Sequence, residues 1–139
     1  MAKLTAPDGS KLTIDAKRVV RIRQTLSGEN TGENAGAKTR IDWAVMSLVK
    51  EPMEQVVPLI QEKLSSLAAL TAADGKKLWF DAKQAIGPLP PTKSQKDSGF
   101  NSSIKIMGYR QYVTETPGEV RAAIKAAGGD PIEEDDPQS

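Results

Sequence analysis

Leu4-Thr5-Ala6-Pro7-Asp8-Gly9-Ser10-Lys11-Leu12-Thr13-Ile14-Asp15-Ala16-Lys17 returns sixty-six positions later as Leu70-Thr71-Ala72-Ala73-Asp74-Gly75-Lys76-Lys77-Leu78-Trp79-Phe80-Asp81-Ala82-Lys83. Ten of the fourteen positions are identical, and two others exchange Ser for Lys and Ile for Phe. The likeness resumes at Val49-Lys50-Glu51 and Gln55-Val56, which stand against Val113-Thr114-Glu115 and Glu119-Val120, now sixty-four apart. A fixed period of this length reads as one module present twice in tandem.

Within each copy an Asp-Gly pair, Asp8-Gly9 and Asp74-Gly75, lies between alternating stretches. It predicts a hairpin, because Asp and Gly supply the positive φ that a tight turn requires. Leu12 and Ile14 put one apolar face down, as do Leu78 and Phe80, with Trp79 on the other side. The run from Arg18 to Thr25 reads as a third strand, Val20 and Ile22 on one face and Arg21 and Arg23 on the opposite one. The second copy has Pro88, Pro90 and Pro91 in that place, which restricts it to an edge strand or an extended segment. Leu26 to Lys38 and Thr92 to Gly99 carry no apolar period and read as mobile loops. Alternation returns at Ile41, Trp43 and Val45 and at Ile104 and Ile106, and a fifth strand follows around 47–50 and 110–114.

A helix then ends each unit. Thr116-Pro117-Gly118-Glu119 is a capping-box arrangement with Pro at the first helical position. Val120 and Ile124, joined by Ala123 and Ala127, form its buried stripe, and Gly128-Gly129 stops it. In the first copy Pro52 opens the helix and Val56, Leu59, Ile60, Leu64 and Leu67 supply the stripe, with Pro58 predicting a kink or a split. The expected fold is α+β: two tandem pseudo-repeats, each an antiparallel meander of about five strands closed by a C-terminal helix. The divisions are 1–66, 67–129 and an acidic tail at 130–139.

The order Leu-Thr, Asp-Gly, Leu-x-Ile-Asp-Ala, Val-x-x-Ile, Val-x-Glu and a closing helix resembles the short FlbD-type flagellar proteins. Asp8, Gly9, Ile14, Glu51 and Val56 carry the likeness. The resemblance implies a small β-rich module with a flagellar or regulatory role, and it offers no catalytic residues. Tandem duplication, long loops and the acidic tail depart from that single-module pattern.

Composition narrows the chemistry. The 139 residues contain no cysteine and no histidine, so thiolate chemistry, the usual neutral-pH proton shuttle and the commonest metal ligand are missing. A unit of about 65 residues is marginal alone, which favours repeats that pack together. Net charge is +1, yet the last ten residues hold five acids and no base; the remainder carries about +6. Neither a signal peptide nor a membrane span is apparent at the N-terminus, and the expected location is the cytoplasm or a virion.

Asp15 and Asp81 recur at equivalent places, where acid–base work competes with a turn role bonding their own backbone; the turn role is favoured. Glu51 and Glu115 stand beside helix starts, where the dipole favours negative charge. No calcium loop and no phosphate-binding glycine motif occurs, so the expectation is a non-enzyme without cofactor or metal. Lys17, Arg18, Arg21 and Arg23, with Lys38 and Arg40 across a loop, form a cationic face suited to phosphate backbone. Against that reading, the second copy lacks the arginines and aromatics for base stacking are few. The residues singled out for partner binding are Arg18, Arg21, Arg23, Arg40, Trp79 and Tyr109. The leading expectation is a non-enzymatic protein-binding or assembly module, an accessory or structural subunit of a larger particle such as a phage virion. It takes a protein partner or self-associates, without a membrane. The alternative is a nucleic-acid-binding regulator using the basic strand 17–23.

Overall fold

The computed structural model describes residues 2–72 and 75–133, and the chain divides into two compact units, residues 1–65 and 66–139. Asp74 of the second Asp-Gly turn and most of the acidic tail lie outside the described residues.

In the first unit, strands β1 (Ala2–Thr5) and β2 (Lys11–Ile14) pair antiparallel, Ala2 opposite Ile14 and Thr5 opposite Lys11. Gly9 adopts φ 90°, and the Asp8 carboxylate accepts the Ser10 N–H at 2.8 Å, the local bond that suits Asp to turns. Beyond β2 the chain changes direction. Asp15 Oδ1 accepts the Lys17 N–H at 3.2 Å and caps a 3₁₀ turn over Ala16–Arg18. Strand β3 (Arg21–Gln24) then pairs with β4 (Thr39–Asp42), and β4 with β5 (Met46–Val49). Helix α1 (Met53–Gln61) follows and packs on β1 and β3.

In the second unit, β6 (Leu67–Thr71) and β7 (Lys77–Asp81) form a hairpin with the register of the first one, Ala68 opposite Phe80 and Thr71 opposite Lys77. Asp81 repeats the Asp15 bond, accepting the Lys83 N–H at 3.0 Å, and also accepts the buried Ser66 hydroxyl at 2.6 Å. Strand β8 (Ile86–Leu89) leads to helix α2 (Lys93–Asp97), then β9 (Ser102–Ile106), β10 (Tyr109–Val113) and helix α3 (Pro117–Ala126). The order β8-β9-β10 is antiparallel throughout. Helix α3 packs on β6 and β8, and its Thr116–Glu119 capping box is formed.

Two five-stranded meanders, each closed by a helix, are therefore corrected. Among the described residues the ten strands fall into three sheets, and the structure is mostly β. A meander needs each strand to turn back on its predecessor. The Asp15 and Asp81 turns instead carry the chain away from the first hairpin, so β3 pairs with β4 and not β2, and β8 pairs with β9 and not β7. Two smaller expectations change as well. The stretch 92–99 is not a bare loop, because Thr92 accepts the Gln95 N–H and caps α2. Helix α1 runs unbroken through Pro58, which faces outward. Its buried stripe is Met53, Val56, Val57 and Ile60, while Leu59 is 36% exposed. Leu64 lies past the helix end and Leu67 belongs to β6.

The likeness between the units is local, and it is strongest in their cores. Leu4 and Leu70, Ile14 and Phe80, Ala16 and Ala82, Val49 and Val113, Val56 and Val120, and Ile60 and Ile124 are all buried. A glutamate clamp recurs too. Glu51 Oε1 accepts the Thr5 N–H at 2.9 Å and Oε2 the Thr5 hydroxyl at 2.8 Å, across 46 residues. Glu115 Oε1 accepts the Thr71 N–H at 2.9 Å across 44 residues. Beside each clamp, Lys50 N–H donates to Thr5 O at 2.9 Å and Thr114 N–H to Thr71 O at 3.0 Å. Partial burial works against ionisation of Glu51, but the two Thr5 bonds outweigh it and hold the carboxyl below its ordinary value. These glutamates join strand ends instead of serving as helix caps.

Two stability predictions follow from this packing. Glu51→Ala removes two charge-assisted bonds and lowers unfolding free energy by about 2 kcal/mol, and Glu115→Ala, with one, by about 1 kcal/mol. At Gly129 a Cβ would overlap the Ala82 carbonyl and Ile124 Cγ2, whereas at Gly118 it meets nothing. Urea titration should show Gly129→Ala destabilised by about 2 kcal/mol or more, and Gly118→Ala unchanged or stabilised by about 0.5 kcal/mol.

Candidate functional site

Alternation along Arg21-Ile22-Arg23 buries Ile22 and turns both arginines to the other face of β3. The β3–β4 register sets Arg21 opposite Asp42 and Arg23 directly opposite Arg40. Like charges so placed repel. Glu29, from the loop after β3, resolves the conflict by entering between them. Arg23 grips it through both terminal nitrogens at 2.8 Å each, and Arg40 Nη1 reaches Oε2 at 2.9 Å. Arg40 Nε bonds Asp42 Oδ1 at 3.1 Å, and Arg21 Nε bonds Asp42 Oδ2 at 2.9 Å. The result is one continuous chain of ions, Arg23–Glu29–Arg40–Asp42–Arg21.

The Arg23 bond, with help from the Leu26 N–H and Arg40, outweighs partial burial and holds the Glu29 carboxyl down at about 2. Burial of Arg40 favours its neutral form, but Glu29 and Asp42 together leave its pKa raised. The loop at 26–38, read from sequence as unanchored, is thus tied to the sheet through Glu29, with a 3₁₀ turn at Gly32–Asn34 further on. Of the arginines singled out, Arg21, Arg23 and Arg40 come together and are engaged. Arg18 stands apart, exposed on the 3₁₀ turn.

The two aromatic candidates lie elsewhere. Trp79 is half-buried opposite Ala69 on β7. Tyr109 is 74% exposed at the start of β10. The residues before it, Met107 at φ 53° and Gly108 at φ 79°, make the two-residue turn between β9 and β10. Such turns need positive φ at both positions and favour Asn or Gly, so methionine is costly there. Met107 is nonetheless 41% exposed, and Ile86 on β8 is 53% exposed. The register aligns Ile86 with Lys105 and Lys105 with Arg110, both exposed cations. Phe100 and Tyr112 stack at 6.0 Å between ring centres, tilted by 48°.

Sequence reading missed Glu29, Asp42, Ile86 and Met107. Asp42 was within reach, since Arg40-Ile41-Asp42 alternates as Arg21-Ile22-Arg23 does. Glu29 was not, because the β3–β4 register depends on how the loop closes. Asp15 and Asp81 hold turns, and among the described residues no group of three or more acidic side chains could hold a metal ion. No helix among them is long and apolar enough to cross a membrane. No protein-family model, curated protein or solved structure matches the chain.

Glu29 makes stability depend on acid. Folding lowers its pKa from 4.5 to about 2, so its contribution is present above 4.5 and is lost as pH falls toward 2. Urea midpoints should show Glu29→Gln less stable than the natural chain at pH 6, with the gap closing between pH 4.5 and 2. A gap that stays constant would mean that the ion chain contributes nothing.

Proposed function

We propose that the chain is a non-catalytic protein-binding module whose contact region is the β9–β10 hairpin and the face beside it. The observation that carries this reading is Met107, an exposed apolar side chain kept in a backbone conformation it disfavours, next to an exposed Tyr109. Strain retained at a surface is a reason to look for function there, and aromatic anchors are typical of protein contacts. The nucleic-acid reading is weaker. Arg21, Arg23 and Arg40 already hold carboxylates, and separating them to reach phosphates would cost those pairs. Asp15 and Asp81 are each engaged in holding a turn through a backbone N–H, which supports a role without turnover.

A photo-cross-linking amino acid at position 109, compared with one at the exposed Glu54 of α1, tests the assignment in cells. Position 109 should give discrete protein adducts, to another copy or to a different chain, and position 54 should not. Equal labelling at both positions, or nucleic acid captured at 109, would sink it.

A further inference from the structure

Two cations oppose each other on the β9–β10 hairpin. The register sets Lys105 directly opposite Arg110, and both are exposed. The two-residue turn at Met107 and Gly108 makes Ile106 and Tyr109 a pair that exchanges main-chain bonds. Lys105 and Arg110, the next pair along, are therefore of the closer kind, with Cα atoms about 4.5 Å apart. Like charges so placed destabilise a sheet. Among the described residues neither cation is ion-paired with a carboxylate. Arg110 Nη1 donates to the Pro90 carbonyl at 3.2 Å, which leaves the repulsion in place.

The first unit contains the same conflict in relieved form. Arg23 stands opposite Arg40, and one carboxylate, Glu29, is held by both at 2.8 and 2.9 Å. A single carboxylate thus fits between two opposed cations of a ladder. The neighbours of Lys105 and Arg110 indicate what would carry it. Ile86 is aligned with Lys105, and Tyr112 lies two residues beyond Arg110, so alternation puts both on the face that bears the cations. Ile86 is 53% exposed, and Tyr112 is half-buried against Phe100. A protein segment with an acid beside an aliphatic residue matches cations and apolar surface together. A phosphate backbone would leave Ile86 in water.

We infer that Lys105 and Arg110 form a site for a carboxylate side chain of a protein partner, with Ile86 taking an apolar residue next to it. The inference rests on the binding-module reading and names what the partner presents. NMR titration of the full chain tests it with two synthetic peptides, acetyl-Ile-Glu-Ile-amide and acetyl-Ile-Gln-Ile-amide. The Glu peptide should shift the Lys105 and Arg110 side-chain signals and the Ile86 methyls, and bind about five-fold tighter than the Gln peptide. Lys105→Glu should abolish that difference and raise the urea midpoint, because an opposite-charge pair replaces a like-charge one. Circular dichroism checks its fold. If the β spectrum is lost, Lys105→Gln takes its place, with a smaller rise expected.

Equal responses to the two peptides overturn the inference. So does a urea midpoint that fails to rise, or inorganic phosphate binding more tightly than the Glu peptide. Changing Glu134 to Gln and Asp135 and Asp136 to Asn should leave the Lys105 and Arg110 signals in place; their movement would assign the pair to the chain's own acids and overturn the partner. Protein adducts at position 109 without a response to the Glu peptide lose this inference alone. A response without adducts supports the acid site and counts against the hairpin contact at Tyr109.

Discussion

In each unit one glutamate holds the end of the first strand to the end of the last. Glu51 and Glu115 reach back more than forty residues to the amides of Thr5 and Thr71. A carboxylate receiving a backbone N–H is strong and directional. It fixes where the hairpin ends relative to the strand that precedes the helix, and hence which apolar side chains meet inside. Val49 with Val56, and Val113 with Val120, are buried because the clamp places their segments there. The hairpin registers and the turns held by Asp15 and Asp81 build on that frame.

The first unit's arginines show how a charged strand can be legible in sequence and still mislead. Their alternation correctly put them on one face of β3. What alternation cannot supply is the identity of the strand opposite, which set Arg40 against Arg23 and drew Glu29 in between. A surface that looked open to phosphate is internally compensated. Exposed apolar groups occur in both units, at Leu26, Val45 and Met46 in the first and at Ile86, Met107 and Tyr109 in the second.

Hairpins, turns and the α3 cap were readable because their determinants lie within a few residues: Asp8-Gly9, Leu12 and Ile14, Thr116 and Glu119. Sheet membership was not. It depends on where the chain goes after Asp15 and Asp81, which a period-two pattern leaves open, and the regular spacing of strands suggested a meander in place of three sheets. Burial of α1 was half readable. Val56 and Ile60 follow the helical period, but Leu59 is hydrophobic and faces out. Met107 could not have been picked out by composition, since only its φ angle marks it as unusual.

Amide hydrogen exchange at Thr5 and Thr71, followed residue by residue by NMR, tests the duplicated clamp most directly. Both strand ends would fray in a short free hairpin. Slow exchange at the two amides, with Glu51→Ala releasing Thr5 and leaving Thr71 protected, is the expected result. Exchange of either amide at the rate of an unstructured peptide would contradict the account.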